Sequence, residues 1–211
     1  MSPSRLERGL YLVTPDERDP SRLLERVAPL LPFAACLQLR AKSMAHDALR
    51  EAASLLRTAC RGAGVPFIVN DDARLASDID ADGVHLGEHD VGVAEARALL
   101  GDDAIIGVSC YDDLARARDA ATSGADYIAF GAFFPSPTKP HARRASPDLL
   151  RASAGLGLPR VAIGGITPDN ARSLVDAGAD LLAVISGVFD APHPIAAARA
   201  YLSCFETNTT A

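Results

Sequence analysis

The chain has 211 residues, of which 48% are hydrophobic, and it carries a formal net charge of −6 at pH 7. No Pro-, Gly- or Ser-rich linker divides it, so we expect residues 1–211 to form a single domain with a sizeable core. The acidic balance argues against nucleic acid or an anionic membrane as a partner, and the lack of a basic-then-apolar leader or a long unbroken apolar stretch predicts a cytoplasmic protein.

Cysteine usage agrees with that compartment. The four cysteines are widely spaced, form no C-x-x-C pattern and lie in apolar surroundings. They are therefore interpreted as buried free thiols in a reducing environment.

Short β-rich runs alternate with longer segments of helical periodicity along the whole chain. The predicted strands are 10–14, 36–40, 66–70, 83–87, 105–110, 127–134, 160–166 and 181–189, and the predicted helices between them include 45–61, 93–100, 112–122, 147–154 and 168–177. Strands separated by helices must pair in parallel. Eight such units predict an α/β fold, a single (β/α)8 TIM barrel, rather than an open sheet.

Similar acidic turns precede three of the runs, at 80–83, 123–126 and 176–180. Each is interpreted as a helix C-cap glycine or an acidic turn that leads into a strand. We expect this internal repeat to be structural and not catalytic.

The strand ends of a TIM barrel form its active-site face, and the second run ends with Gln38, Arg40 and Lys42. Their i, i+2, i+4 spacing on an extended backbone predicts one cationic row that would grip a polyanion, although a solvated strand end is the alternative. Only two lysines stand against nineteen arginines, at Lys42 and Lys139. Because ammonium and guanidinium groups are not interchangeable, both lysines are candidates for phosphate or leaving-group chemistry.

Carboxylates follow the next two runs. Asn70, Asp71 and Asp72 come directly after the third, where a turn with a helix N-cap is an equally good interpretation, and Asp90 follows the fourth. Neighbouring strands lie only about 4.8 Å apart, so Asp71 and Asp90 predict a Mg²⁺ site. His85, on the fourth run, is interpreted as a hydrogen-bonded inward residue rather than a zinc ligand.

The last two runs indicate a second anion site. Gly164-Gly165 would let backbone amides approach an anion, and Ile185-Ser186-Gly187 follows the eighth run, where barrels commonly bind phosphate. The polar segment 135–147 is predicted to be a mobile active-site loop. Two anion sites at one mouth suit a pair of small phosphorylated substrates, one a diphosphate and the other a monophosphate.

Seven segments in this order resemble the thiamine phosphate synthase family over most of the chain. They are Gln38-Leu39-Arg40-Ala41-Lys42, Phe67-Ile68-Val69-Asn70-Asp71-Asp72, Asp82-Gly83-Val84-His85-Leu86-Gly87 with Asp90, Gly107-Val108-Ser109, Pro135-Ser136-Pro137-Thr138-Lys139, Gly164-Gly165-Ile166 and Ile185-Ser186. The resemblance implies a (β/α)8 transferase of thiamine biosynthesis that joins hydroxymethylpyrimidine diphosphate to a thiazole phosphate by a dissociative, Mg²⁺-assisted reaction and releases pyrophosphate.

The resemblance also implies roles for individual residues. The group implied to bind the pyrimidine diphosphate is Gln38, Leu39, Arg40, Ala41, Lys42, Asn70, Ser109 and Lys139, of which Arg40, Lys42, Ser109 and Lys139 would be catalytic. The group implied to bind the thiazole phosphate is Ser136, Pro137, Thr138, Gly165, Ile185 and Ser186. Asp71 and Asp90 would hold Mg²⁺.

Some positions depart from the family pattern. Ser136 stands where Thr is common, Tyr111 stands where His is frequent, and the stretch 140–144 is unusually basic. Two alternatives stay open: the paralogous thiazole tautomerase, which has no diphosphate to hold, and a non-catalytic barrel that binds thiamine phosphate. The sequence also leaves a homo-oligomer open.

Overall fold

The computed structural model describes residues 6–135 and 143–206. Eight parallel strands follow one another around a closed barrel, and the last pairs with the first. The strands are β1 (Gly9–Val13), β2 (Ala34–Leu39), β3 (Phe67–Asn70), β4 (Gly83–Leu86), β5 (Ile105–Tyr111), β6 (Tyr127–Gly131), β7 (Arg160–Ile163) and β8 (Leu181–Val184). The predicted (β/α)8 TIM barrel is confirmed.

Helices cover the outside of the barrel. They are α1 (Pro20–Val27), α2 (His46–Ala63), α3 (Ala73–Asp78), α4 (Val93–Leu100), α5 (Leu114–Thr122), α6 (Pro147–Ala152), α7 (Pro168–Asp176), α8 (Ser186–Phe189) and α9 (Pro194–Ser203), with 3-10 turns at Ala28–Phe33 and Ala154–Leu156. Short polar side chains set several starts: Asp19, Asp72 and Asp113 each accept backbone N–H groups as N-caps. Among the described residues, no helix is long and apolar enough to cross a membrane.

Apolar side chains form two layers, one between strands and helices and a smaller one inside the barrel. The inner layer is completed by an aromatic ring that occupies the space left by a glycine. A Cβ atom on Gly107 would lie 1.9 Å from Cζ of Tyr127, so only glycine fits beneath that ring. The four cysteines are buried and free, as predicted, and burial raises the pKa of the Cys60 and Cys110 thiols to about 12.

The repeated acidic turns lie at the N-terminal end of the barrel, where each aspartate binds the start of the preceding strand. Asp82 accepts from the backbone N of Phe67 at 2.8 Å, Asp126 from that of Ile106 at 2.8 Å, and Asp180 from that of Arg160 at 2.9 Å. We call these three contacts the aspartate clamps. They tie β3, β5 and β7 to the turns before β4, β6 and β8, which agrees with the structural role expected for the repeat.

The sixth, seventh and eighth strands were predicted to extend well beyond their observed ends. The sixth was predicted to reach residue 134 but ends at Gly131, since Ala132 pairs its N–H with the carbonyl of Arg143 at 3.0 Å. The seventh stops at Ile163, before two glycines with positive φ. The eighth was predicted to reach 189 but ends at Val184, and the apolar residues after it form α8. Apolar runs of this length do not distinguish strand from helix by periodicity.

Candidate active site at the barrel mouth

Two carboxylates stand close together at the C-terminal end of the barrel. Asp71 follows β3 with φ 65° and donates its N–H to the carbonyl of His85 at 2.8 Å, while the Asp90 carboxylate accepts from the N–H of Gly87 at 2.6 Å. A Cβ built on Gly87 would lie 3.0 Å from Asp90 Oδ2 and 3.9 Å from Asp71 Oδ1, so both carboxylates border that glycine. The predicted proximity of the pair is therefore present.

Electrostatics at this pair favour a cation. Partial burial raises the pKa of Asp71 above its ordinary value, and the negative charge of Asp90 and a hydrogen bond with it raise that pKa further. Lys42 and Asn70 act in the opposite direction on the same carboxyl. No group of three or more His, Cys, Asp or Glu side chains suited to a metal occurs in the described ranges. A pair is nevertheless the usual protein contribution to Mg²⁺, which keeps waters and substrate phosphates as its other ligands.

The structure separates the roles of the two consecutive aspartates. Asp72 Oδ1 accepts from the backbone N of Arg74 at 3.0 Å and of Leu75 at 2.9 Å, so it is the N-cap of α3. Asp71 makes no such cap and faces Asp90 instead. The N-cap interpretation of the acidic run is therefore confirmed for Asp72, and the Mg²⁺ site at Asp71 stays a prediction.

Gln38, Arg40 and Lys42 do not form one continuous extended row as the spacing predicted, because only Gln38 lies within the strand. β2 ends at Leu39, and Gln38 lies inside the barrel, only 5% exposed. Arg40 is held at the rim by Thr14, whose Oγ1 accepts from its backbone N at 2.8 Å and donates to its carbonyl at 3.0 Å. Lys42 lies beyond the strand in an exposed turn, where it lowers the pKa of Asp71. Strand alternation therefore accounts for Gln38 and Arg40, and the turn brings Lys42 towards the carboxylates.

A chain of hydrogen bonds crosses the barrel interior from Gln38 to Ser109. Gln38 Nε2 donates to Tyr11 Oη at 2.9 Å, the two phenol oxygens of Tyr11 and Tyr127 are 2.7 Å apart, and His85 Nδ1 lies 2.9 Å from Tyr127 Oη. His85 Nε2 lies 2.8 Å from Ser109 Oγ at the mouth. We call these five residues the interior relay. Sequence reasoning predicted the inward, hydrogen-bonded His85 but missed both tyrosines.

Burial fixes the protonation of the relay. Desolvation lowers the pKa of His85 to about 4 and raises the pKa of each phenol, Tyr11 and Tyr127, well above the ordinary value. His85 is therefore neutral and both phenols are protonated near neutral pH. Both nitrogens of the histidine ring are occupied by hydrogen bonds inside the protein, so the ring does not offer a free base to the mouth.

Tyr111 closes the side of the mouth beyond Ser109. It has φ 53°, at the bulge where β5 leaves its register with β6, and its ring faces the guanidinium groups of Arg116 at 5.9 Å and Arg143 at 5.4 Å. Arg143 also approaches Glu88 at 3.6 Å. The basic stretch 140–144 thus contributes at least Arg143 to the wall of the mouth, where it packs on Tyr111.

The loops after β7 and β8, where the second anion site was predicted, form a rim of the mouth that contains two glycines with positive φ. Gly164 and Gly165 have φ 105° and 63°, which L side chains rarely adopt. A Cβ on Gly165 would lie 2.4 Å from the carbonyl oxygen of Pro135, so the backbone after β6 runs directly over this glycine. Ile185 and Ser186 begin α8 beside this rim.

Within the segment 135–147, the described residues Arg143 and Ala145 pair with Ala132, which directly follows β6. Ala132 donates its N–H to the carbonyl of Arg143 and accepts from the N–H of Ala145, each at 3.0 Å. The predicted site residues Ser136, Pro137, Thr138 and Lys139 lie outside the described residues, and the mobility of the loop stays a prediction.

Comparisons with known proteins agree with this arrangement. A family model described as thiamine monophosphate synthase matches residues 10–188. A thiamine-phosphate synthase from Xanthomonas campestris pv. campestris (strain 8004) is 61% identical over 199 residues, 94% of this chain and 96% of the relative, and one from Azoarcus sp. (strain BH72) is 57% identical over 201 residues, covering 94% and 97%. The structure of a thiamine phosphate pyrophosphorylase from Pyrococcus furiosus superposes with a TM-score of 0.83 at 33% identity and covers 96% of each chain. The chain therefore belongs to the thiamine monophosphate synthase family.

Proposed function

We propose that this chain is a transferase that couples hydroxymethylpyrimidine diphosphate to thiazole phosphate and releases thiamine phosphate and pyrophosphate. The observation that carries this proposal is that the two candidate anion sites lie at one mouth. The first has Arg40, Lys42 and the carboxylate pair beside β2 to β4, and the second has the glycine rim and the start of α8 beside β7 and β8. A reaction between a diphosphate and a monophosphate needs both.

The chemistry suits a site without a free base. In a dissociative reaction the aminopyrimidine stabilises a methylene cation as pyrophosphate departs, and the thiazole nitrogen attacks without a proton to surrender. The chain's task is then to neutralise the leaving group and to align two rings. The neutral, doubly hydrogen-bonded His85 is consistent with that division of labour.

The carboxylate pair fits a magnesium ion. Asp71 and Asp90 supply hard oxygen ligands, and their mutual repulsion would be relieved by a divalent cation. Bound there, Mg²⁺ would neutralise charge on the departing pyrophosphate. Arg40, Lys42 and Lys139 would add positive charge around the same group, with Asn70 beside Asp71 and Ser109 at the end of the relay.

The assay combines both substrates with the protein and measures thiamine phosphate and pyrophosphate, with and without Mg²⁺. We expect both products in a one-to-one ratio, loss of turnover in EDTA, and loss of turnover in Asp71→Asn and Asp90→Asn while thiazole phosphate binding is retained. Asp72→Asn is the matched control, since its carboxylate caps α3.

The outcomes separate the alternatives. Isomerisation of the thiazole without pyrophosphate would indicate the tautomerase, and binding of thiamine phosphate without turnover would indicate a non-catalytic barrel. Full rates in both aspartate variants after EDTA treatment would refute the magnesium assignment alone.

A further inference from the structure

The donor and the acceptor of each hydrogen bond in the interior relay can be assigned, because the position of each proton can be worked out. Each phenol has one proton: Tyr11 lies between Gln38 and Tyr127 with the Cys36 thiol beside it, and Tyr127 lies between Tyr11 and His85 with the Gln38 amide beside it. A phenol that receives a hydrogen bond from one relay neighbour donates its proton to the other, because a thiol sulfur is only a weak acceptor and an amide nitrogen accepts nothing. The direction of the whole chain of hydrogen bonds is therefore set at the end opposite Ser109.

That end is the amide of Gln38. Its Nε2 can only donate, and it lies 2.9 Å from Tyr11 Oη. Tyr11 consequently donates to Tyr127 over 2.7 Å, and Tyr127 donates to His85 Nδ1 over 2.9 Å. An accepting Nδ1 leaves the proton of the neutral ring on Nε2, which donates to Ser109 Oγ over 2.8 Å.

We infer that the interior relay is directional and that it presents Ser109 to the diphosphate substrate as a hydrogen-bond donor. With Oγ already accepting from His85, the Ser109 proton points away from the relay. Ser109 is also the relay's most exposed member, half-buried at the mouth, whereas Gln38 and His85 are 5% and 8% exposed. The acceptor it would meet is an electron-rich atom of the pyrimidine diphosphate, a phosphate oxygen or a ring nitrogen.

Tyr11, Tyr127 and His85 are then positioning residues that act through Ser109. Packing restricts the orientation of the His85 and Tyr127 rings. The two rings stack with centroids 5.5 Å apart and an interplanar angle of 23°, and the Tyr127 ring fills the space above Gly107. Reversal of the Gln38 amide would reverse every bond, place the proton on His85 Nδ1 and convert Ser109 into an acceptor. The two polarities are therefore distinguishable at one atom.

The first test reads that atom in the unliganded wild-type protein. NMR of protein labelled with ¹⁵N-histidine reports which ring nitrogen carries the proton, and His85→Asn identifies the signal among the five histidines. We expect the Nε2–H tautomer. Observation of the Nδ1–H tautomer would overturn the inference, and this result does not depend on whether the protein turns over any substrate.

The second test rests on the proposed function and measures coupling between Tyr127 and Ser109. Tyr127→Phe keeps the ring but cuts the relay, so we expect kcat to fall about tenfold in the wild-type background and less than twofold in the Ser109→Ala background. A purely structural defect would cost the same factor in both. Equal losses would therefore refute the positioning role.

Two further arms keep the kinetic test decisive. If Tyr127→Phe fails to fold, Tyr11→Phe cuts the relay one bond further from Ser109 and is analysed in the same cycle, with the same expected non-additivity. If the wild-type protein forms no thiamine phosphate from the two substrates, the proposed function fails, while the tautomer of His85 still decides the direction of the relay.

Discussion

Removing one aspartate clamp should destabilise the barrel without changing its chemistry. In Asp180→Ala, the lost carboxylate oxygen Oδ2 is the acceptor for both the backbone N of Arg160 at 2.9 Å and its Nε at 3.1 Å. Hydrogen bonds to a charged group contribute roughly 1.5–3 kcal/mol each. The Asp180 side chain is 33% exposed, so solvent screens the pair and the lower end applies. We expect a loss of about 3 kcal/mol in the free energy of unfolding.

The assay is urea unfolding with thermal denaturation beside it. For a chain of this size, each kcal/mol lowers the melting temperature by roughly 2–4 °C, so the expected shift is about 6–12 °C. The matched control is Asp176→Ala, whose exposed i, i+4 pair with Arg172 should change stability by about 0.5 kcal/mol at most. At a temperature where Asp180→Ala is folded, its turnover should equal that of the wild type, because the clamp lies at the end of the barrel opposite the mouth.

Two results would refute this reasoning. If Asp180→Ala cost no more stability than Asp176→Ala, the hydrogen bonds to the start of β7 would have no net value. If the folded Asp180 variant lost activity, the two ends of the barrel would be coupled by something other than the contacts of the clamp.

Three further outcomes concern the mouth. Because the pKa of Asp71 is raised in the folded state, ionisation of this carboxyl opposes folding above that pKa, whereas below the ordinary value of 3.8 the carboxyl is neutral in both folded and unfolded states. Asp71→Asn should therefore melt higher than the wild type in EDTA at pH 7.5, with an advantage that shrinks as the pH falls, and equal melting temperatures at pH 7.5 would contradict this. Gly165→Val, with its Cβ 2.4 Å from the Pro135 carbonyl oxygen, should raise the KM for thiazole phosphate far more than that for the diphosphate, and steady-state kinetics showing equal effects would indicate misfolding or a shared site. In single-turnover experiments Lys139→Arg should lower the rate at least about tenfold, or roughly 1.4 kcal/mol, because a rigid guanidinium cannot follow the charge of the departing group as an ammonium can. Arg143→Lys is the control variant. A near-wild-type rate in Lys139→Arg would mean that the scarcity of lysine is an accident of composition.

Much of the fold was predictable because alternation of strand and helix is a local property. Each strand needs only a short β-rich run, and parallel pairing of eight such units leaves few topologies. The ends of strands six to eight were not predictable in the same way. A hydrogen bond between Ala132 and Arg143 stops β6, and β8 gives way to one turn of helix that contains Val188 and Phe189, apolar residues that also suit a strand.

The candidate site was predictable where strand ends alone determine position, and less so where long-range contacts do. Asp71 and Asp90 are adjacent because β3 and β4 are neighbours. Nothing local distinguishes Asp71 from the capping Asp72, since that depends on backbone conformation. Tyr11 and Tyr127 look like ordinary strand residues, and their phenol oxygens meet across 116 positions of sequence.

The fit of Tyr127 over Gly107 also constrains how related chains can diverge. Any side chain at position 107 would overlap the tyrosine ring, and a smaller residue at position 127 would leave a void and break the link between Tyr11 and His85. A substitution at either position alone would therefore disrupt the packing or break the relay. We expect descendants of this barrel either to keep both residues or to have exchanged them together with the partners of the relay, so that positions 11, 38, 85 and 109 covary with this pair.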